Sequence, residues 1–406
     1  MRSEIAMAPS AAKTDPAPRV LVLFGSAVIF GAERGNLEAL MALKAQGAEI
    51  LCLIRDEAWS HIVPPALDER GIAWRKVPYT HIGRGMSWRT ILWHNPRRLI
   101  AANCAFLRAV STFKPTHIHA YGQLYIFNFF LGLMLVKTPL VYRAGDEPTY
   151  HNKFWRAIWR FTMWRTSRFV ANSAFVARSL RNHGVRGDRI DVIYNVPPAR
   201  PNLAPRSLDL ELPPGARVIA FVGQISEHKG PHVLIAAFRE LAPEFPDIYL
   251  VLAGRISEWE GDAWGRALRD HTIQDAIIGK RVKFLNQIED VSALLALSEF
   301  LVVPSLFDDP SPNVVMEAKQ AGRAVVGFPR GGIPELINDG EDGMLCQGVG
   351  EKELVMALRK YCDDPTLAER HGSVGLKTQC RFGQADFANS WSAVYGLAKS
   401  ADCRES

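Results

Sequence analysis

The chain has 406 residues, 48% hydrophobic and 22% charged, with a net charge of +6. This is a soluble globular composition, which excludes wholesale disorder, a collagen-like repeat and a coiled coil, and at this length two domains of about 150 to 200 residues are expected. The charge is divided unevenly: residues 1–200 carry 27 Lys and Arg against 13 Asp and Glu, and residues 201–406 carry 21 against 29.

The first 18 residues, MRSEIAMAPSAAKTDPAP, lack the apolar core of a secretory signal and read as a frayed tail. RVLVLFG (19–25) is a buried strand ending in glycine, followed by a Gly-containing loop and the helical pattern NLEALMALKAQG (36–47). Further strands are expected at residues 48–54, 116–120, 140–143, 169–172 and 189–194, an alternation that implies a parallel sheet. The longest apolar run, Leu124 to Val136, has 13 residues. Spanning a bilayer takes about 20, so a buried helix is predicted instead.

Between residues 71 and 180, 16 basic residues meet only two acidic ones, Asp146 and Glu147, with six tryptophans interleaved. Two segments concentrate the pattern: residues 81–100, with Arg89, Arg97 and Arg98, and residues 151–170. In the second, helical spacing aligns Lys153, Arg156 and Arg160, with Trp155 and Trp159 one turn apart on a neighbouring stripe. Two readings stand side by side. Arg and Trp together suit an anionic lipid headgroup region, and a basic solvated face over an aromatic core is the plainer alternative. Nucleic acid is not expected as a partner, since no recognition motif or zinc finger is present.

Residues 196–215, VPPARPNLAPRSLDLELPPG, hold six prolines and almost no periodicity, the mark of a linker. Beyond it the pattern restarts with RVIAFVG (217–223), IYLVLAG (248–254), RVKFLNQ (281–287), FLVVPS (300–305) and AVVGFP (324–329). The expected organisation is therefore a tail over 1–18, a Rossmann-like domain over 19–196, a linker over 197–215, a second Rossmann-like domain over 216–384 and a last helical segment over 385–406. Ligands of open α/β sheets bind beyond the carboxyl ends of the strands. That places the loops at 24–35, 223–230, 304–313 and 329–335 on a shared cleft.

Those loops carry the unusual residues. GQISEHKG (223–230) precedes Pro231, a favoured first helical residue, and its glycines, the helix N-terminus and Lys229 suit a phosphate. In PSLFDDPSPNVVMEAKQAG (304–322), Asp309 lies in a loop, Asn313 is placed to cap a helix, and Glu317 follows one turn in. Two carboxylates so spaced can reach a ligand lying across the helix N-terminus. PRGGIPELI (329–337) adds a second Gly-Gly turn, with Glu335.

This combination, with the segment running into E-A-x-x-A-G and G-G-I-P-E, resembles the donor domain of family 4 retaining glycosyltransferases (glycosyl transferases group 1), which have the α/β GT-B fold. FGAERGNLEAL (30–40), PTHIHAY (115–121) and VIYNV (192–196) are similar to the family's acceptor loop, its paired-histidine strand and the segment before its linker. The resemblance implies a UDP- or GDP-sugar donor contacted by Gly223, Gln224, Lys229, Gly254, Arg255, Asn313, Val314 and Glu317. It puts Lys229 on the diphosphate, Glu317 on the ribose and Asp309 beside the transferred sugar. It places Gly31, Glu33, Arg34, His119 and Tyr121 at the acceptor, with Asp309, His119 and Lys229 as the catalytic set, and so implies that 19–196 is the acceptor-binding domain, that 216–384 is the nucleotide-sugar-binding domain and that the segment 385–406 can cross back to the first. No cofactor and no metal are implied, and the chain has no Asp-x-Asp triplet.

The chain departs from the family where Gln224 replaces an arginine, Asp309 a glutamate, Tyr121 a second histidine and Phe30 a glycine. Arg255 and Arg330 are both candidates to replace the missing cation. His119 is either a cleft residue or a structural histidine. The expected function is transfer of a sugar from a nucleotide-sugar to a lipid-linked or amphipathic acceptor, in polysaccharide, lipopolysaccharide or glycolipid assembly. Its expected place is peripheral, on the inner, cytoplasmic face of the cell membrane. The six cysteines, with no C-x-x-C pair, agree with a reducing compartment. Two rivals are a catalytically weak nucleotide-sugar-binding protein and a soluble transferase acting on free sugars. A nicotinamide dehydrogenase is disfavoured by the lack of G-x-G-x-x-G in either first βα turn.

Overall fold

The computed structural model describes residues 17–26, 29, 31–56, 62–79, 96–148, 150, 152–197, 208, 210–256, 263–288, 290–379 and 383–397. The first half runs β1 (Arg19–Phe24), α1 (Gly31–Ala45), β2 (Glu49–Arg55), α2 (Val63–Asp68), β3 (Ala73–Val77), α3 (Pro96–Phe113), β4 (His117–Ala120), α4 (Gln123–Asn128), α5 (Phe130–Leu135), β5 (Leu140–Ala144), α6 (Lys153–Arg165), β6 (Thr166–Ala171), α7 (Ala174–Asn182) and β7 (Ile190–Val192). The second runs β8 (Arg217–Val222), α8 (Pro231–Leu241), β9 (Ile248–Ala253), α9 (Ala263–Gln274), β10 (Val282–Leu285), α10 (Val291–Leu297), β11 (Phe300–Val303), α11 (Asn313–Gln320), β12 (Ala324–Gly327), α12 (Ile333–Leu336), β13 (Gly343–Leu345), α13 (Glu351–Asp363), α14 (Pro365–Thr378) and α15 (Gln384–Val394).

The strands form two sheets of order β3-β2-β1-β4-β5-β6-β7 and β10-β9-β8-β11-β12-β13. Their pairings are parallel throughout. Parallel sheets are covered on both faces, so their strands read as continuous apolar runs; Val20 to Phe24 are fully buried. In each sheet the order reverses beside the first strand, between β1 and β4 and between β8 and β11. An open α/β sheet leaves a crevice at that reversal. Two Rossmann-like sheets with facing crevices make the GT-B architecture.

Helix α15 crosses to the first sheet and packs beside α1. Trp391 is fully buried there, with Phe387 and Tyr395, against Val20, Val22, Leu37 and Leu40. Gln384 Nε2 donates to the carbonyl of Pro197 at 2.8 Å where the chain leaves the first half. Within the Pro-rich segment, Leu208, Leu210 and Leu212 pack on the core of the second sheet.

Two local expectations need correction. The apolar run from Leu124 is not one buried helix but α4 and α5, separated at Phe129. Asn103 supports the break: its Nδ2 donates to the carbonyl of Asn128 and its Oδ1 accepts from the N–H of Gly132. Leu131, Met134 and Leu135 consequently face outward. Trp155 and Trp159 are core residues, 1% and 0% exposed, so they are not membrane contacts; Trp159 Nε1 donates to the carbonyl of His183. The stripe of Lys153, Arg156 and Arg160 is exposed as expected, and Trp164, one turn beyond Arg160, continues it at 68% exposure. In the other basic segment Arg97 is exposed, and Arg98, its side chain 39% exposed, is paired with Asp56 at 2.5 Å and donates to the carbonyl of Tyr79. Arg89 lies outside the described residues. Among the described residues no helix is long and apolar enough to cross a membrane.

Candidate active site between the two sheets

A cavity of about 600 Å³ lies between the halves, at the carboxyl ends of both sheets. Its second-half wall includes Gly223, Gln224, Lys229, Gly254, Arg255, Asp309, Asn313, Val314 and Glu317, which brings together all of the residues expected at the donor. Lys229 stands on a short turn closed by Gly230, whose φ of +72° is left-handed. A Cβ at Gly230 would meet the carbonyl oxygen of Pro304 at 2.0 Å, so only glycine lets this turn lie against the β11 loop. Lys229 Nζ pairs with Asp309 Oδ2 at 2.6 Å and sits 4.8 Å from the centroid of the Phe307 ring. Asp309 and Glu317 are 6% and 8% exposed.

Asn313 departs from its expected part. Pro312 takes the N-cap position and Asn313 begins α11, leaving its side chain to cross the cleft. Its Oδ1 accepts from Asn195 Nδ2 at 2.8 Å and its Nδ2 donates to the carbonyl of Gly31 at 3.2 Å. Of the two candidate replacement cations, Arg255 lines the cavity. Arg330 does not: its Nη2 donates to the carbonyl of Leu306 at 3.0 Å and its guanidinium lies 3.3 Å from Asp308.

Gly31, Glu33, Arg34 and Tyr121, four of the residues expected at the acceptor, line the first-half wall. His119 does not, and its expected catalytic and acceptor role is corrected. The period of two along β4 puts His117, His119 and Tyr121 on one face, but α1 and α15 cover that face. His119 is 0% exposed, with Nδ1 2.5 Å from Tyr395 Oη and Nε2 2.7 Å from Asn36 Oδ1. Burial, reinforced by the positive charge of Arg143, lowers its pKa to about 3. The ring is therefore a neutral structural bridge between helices that meet over β4.

Several residues in this wall or directly behind it had not been picked out as site residues. Arg143 is 3% exposed at the end of β5; its Nη2 donates to Asn195 Oδ1 at 2.6 Å and its Nη1 to the carbonyl of Ala32 at 3.3 Å. Burial lowers its pKa to about 10, against the opposing pull of Glu33. Arg143, Asn195 and Asn313 thus form a polar chain from under the acceptor loop to the donor helix. Tyr125 shares the wall with Tyr121, and burial, followed by the negative charge of Glu33, raises its phenol to about 12. Asp146 and Glu147 also line the cavity. Their isolation as acids in a basic stretch was the signal the sequence offered.

A two-sheet α/β protein with a cation, two carboxylates and a helix N-terminus converging on the second crevice belongs to the GT-B class. The family model for glycosyl transferases group 1 matches residues 208–377, and that for the glycosyl transferase 4-like domain matches residues 30–196. The chain belongs to the group 1 glycosyltransferases of the 4-like type. Among curated proteins it is 28% identical over 190 residues to spore coat protein SA of Bacillus subtilis, covering 45% of this chain and 49% of that protein. It is 30% identical over 200 residues to the D-inositol 3-phosphate glycosyltransferase of Corynebacterium diphtheriae, covering 48% and 45%. The chain spans about half the length of the curated relatives it matches. Among solved structures it resembles Anabaena Alr3699/HepE in complex with UDP-glucose, with a TM-score of 0.75, 18% identity, and coverage of 94% of this chain and 100% of that one. At that identity the likeness is one of fold.

Proposed function

We propose that the protein transfers a sugar from a nucleotide-sugar to an acceptor held by the first half, with retention of anomeric configuration. The observation that carries this reading is the convergence of Lys229, Arg255, Asp309, Glu317 and the start of α11 on one cavity whose opposite wall comes from the acceptor loops. A diphosphate leaving group gains negative charge as the glycosidic bond breaks. Lys229, Arg255 and the backbone N–H groups at the start of α11 supply fixed positive potential there. Asp309, deep in the cleft, is the carboxylate proposed to sit beside the anomeric centre, and Glu317 the one proposed to hold the ribose. The donor is proposed to be a UDP- or GDP-sugar; UDP-glucose in the similar Anabaena protein supports the first.

The acceptor is proposed to be lipid-linked or amphipathic, presented at the cytoplasmic face of a membrane. Support comes from the surface of the first half. Lys153, Arg156, Arg160 and Trp164 form one exposed stripe of α6, and Leu131, Met134 and Leu135 are exposed on α5. The two helices adjoin, since Arg165 Nε donates to the carbonyl of Leu133 and Phe161 packs edge-on to Phe130.

The test is a thermal-shift panel with UDP, GDP, ADP, CDP and their sugar conjugates, followed by NMR of the transfer product. Stabilisation by one nucleotide, about 2.7 kcal/mol at 100 times its dissociation constant, supports the donor assignment. No shift with any nucleotide would overturn it, and a product anomer opposite to the donor's would overturn retention.

A further inference from the structure

Glu335 ends the Gly-Gly-Ile-Pro-Glu turn that the sequence singled out, yet it is not among the residues lining the cavity. Its carboxylate reaches the other half of the molecule. Oε2 accepts from the backbone N–H of Ala174 at 2.7 Å and from Tyr194 Oη at 3.1 Å, and Oε1 lies 3.3 Å from Arg178 Nη2. Ala174 is the first residue of α7, a nine-residue helix capped by Ser173. The carboxylate therefore meets the positive end of a helix and a guanidinium one turn along it. Its side chain is 14% exposed.

The same turn is fastened to the loop that carries Asp309. The N–H of Gly332 donates to the carbonyl of Asp309 at 2.8 Å. A Cβ at Gly332 would meet the carbonyl oxygen of Pro310 at 2.0 Å and Ser173 Cβ at 3.4 Å. Five residues thus touch the donor loop with their backbone and the first half with a charged side chain.

We propose that Glu335 is a positioning residue that pins the cleft closed, holding the Asp309 loop at a fixed distance from the acceptor wall. It makes its contacts outside the cavity, so it acts on the relation between the halves and not on nucleotide affinity. The donor contacts proposed above come from the second half, whereas transfer needs both walls in register. Loss of the pin should then separate binding from turnover, as a small misplacement of reacting groups costs far more in rate than in affinity. The turnover part of this inference rests on the glycosyl-transfer reading above; the closure part does not.

The experiment uses the full chain with Glu335→Ala and Glu335→Gln, and three readouts: small-angle scattering, UDP affinity by calorimetry, and transfer kinetics. Glu335→Ala should scatter as a more open particle and bind UDP within about twofold of the parent, while kcat falls about tenfold or more at a nearly unchanged donor KM. Glu335→Gln keeps an oxygen for Ala174 and should recover most of the turnover and the compact scattering. The proposal is overturned if Glu335→Ala scatters as the parent does, or if UDP affinity falls in step with turnover, which would put Glu335 in the donor pocket. If the parent binds no nucleotide, the glycosyl-transfer reading fails while the scattering comparison still decides the pin.

Discussion

Lys229 Nζ and Asp309 Oδ2 are 2.6 Å apart, which joins the cation proposed for the donor diphosphate directly to the carboxylate proposed for the transferred sugar. Their side chains are 26% and 8% exposed, so the pair is partly withdrawn from water. On the proposed reading, a donor diphosphate competes with Asp309 for Lys229, so donor binding is expected to free the carboxylate toward the sugar.

Lys229→Ala should lose tenfold or more in UDP affinity, because one of the two cations proposed for the diphosphate is gone, with each factor of ten worth about 1.4 kcal/mol. It should also lower the melting temperature, since Asp309 is left buried without its cation. Asp309→Ala should lower stability too. The double variant should lose less stability than the two single losses added together. Calorimetric titration with UDP and a thermal double-mutant cycle check both parts; additive stability losses would mean that the two side chains act independently.

His119 predicts a pH dependence of stability. Its folded pKa, lowered from 6.5 to about 3, means that between these values the unfolded chain binds a proton that the folded chain refuses. Stability therefore rises with pH across that window and is lost as the pH falls below about 6.5. The slope is about 1.4 kcal/mol per pH unit for one such group. His117, His232 and His371 are also lowered by burial and act in the same direction. His119→Gln should flatten the urea-derived stability profile between pH 6 and 4 by about one proton's worth. An unchanged profile would show that His119 is not held neutral by its burial.

Much of this fold could be read from the sequence because parallel strands buried on both faces write themselves as apolar runs. β1, β8, β9, β11 and β12 were each visible in that way. The strands that were missed lie at the sheet edges: β3, with Trp74, Arg75 and Lys76 mostly outside the core, and the three-residue β13. The second-half wall was legible because each of its parts sits in a short segment that follows one apolar strand, β8, β9 or β11. The first-half wall was not, since Tyr125, Asp146 and Asn195 come from separate elements and meet only when the sheet forms. His119 was misplaced for a similar reason: its strand face was read correctly, but its cover is α15, some 270 residues away in sequence. Trp155 and Trp159 matched an interfacial pattern and a core pattern equally well, and the burial of Ile158 and Thr162 beside them settled the matter for the core.

The ion pair of Lys319 and Asp342 is wholly buried, with Nζ 2.7 Å from Oδ2. Asp342 also accepts from the N–H of Asn338 at 2.8 Å and from Thr378 Oγ1 at 2.9 Å, so the pair ties α11 to the β13 turn and α14. Lys319→Met leaves a buried carboxylate without its cation and should cost about 3–5 kcal/mol in urea unfolding. Adding Asp342→Asn removes the orphaned charge and should restore part of that loss. A single variant as stable as the parent would show that the pair contributes nothing to holding α11.

The exposed stripe of α6 gives the membrane proposal its sharpest test. Each basic side chain near an anionic leaflet contributes about 1 kcal/mol, and a reversed charge adds repulsion. Arg156→Glu with Arg160→Glu should therefore weaken sedimentation with phosphatidylglycerol vesicles at low salt by tenfold or more. UDP affinity should not change, because the stripe lies outside the cavity. Trp164→Ala should weaken the same binding less, and with little salt dependence, since an indole contributes burial and not charge. Trp159→Phe serves as the control: it removes the hydrogen bond to the carbonyl of His183 and should lower stability without touching vesicle affinity in the folded protein. Equal vesicle binding by the parent and the Arg156→Glu, Arg160→Glu variant would remove this face from any membrane contact. It would move the acceptor proposal toward free sugars in solution.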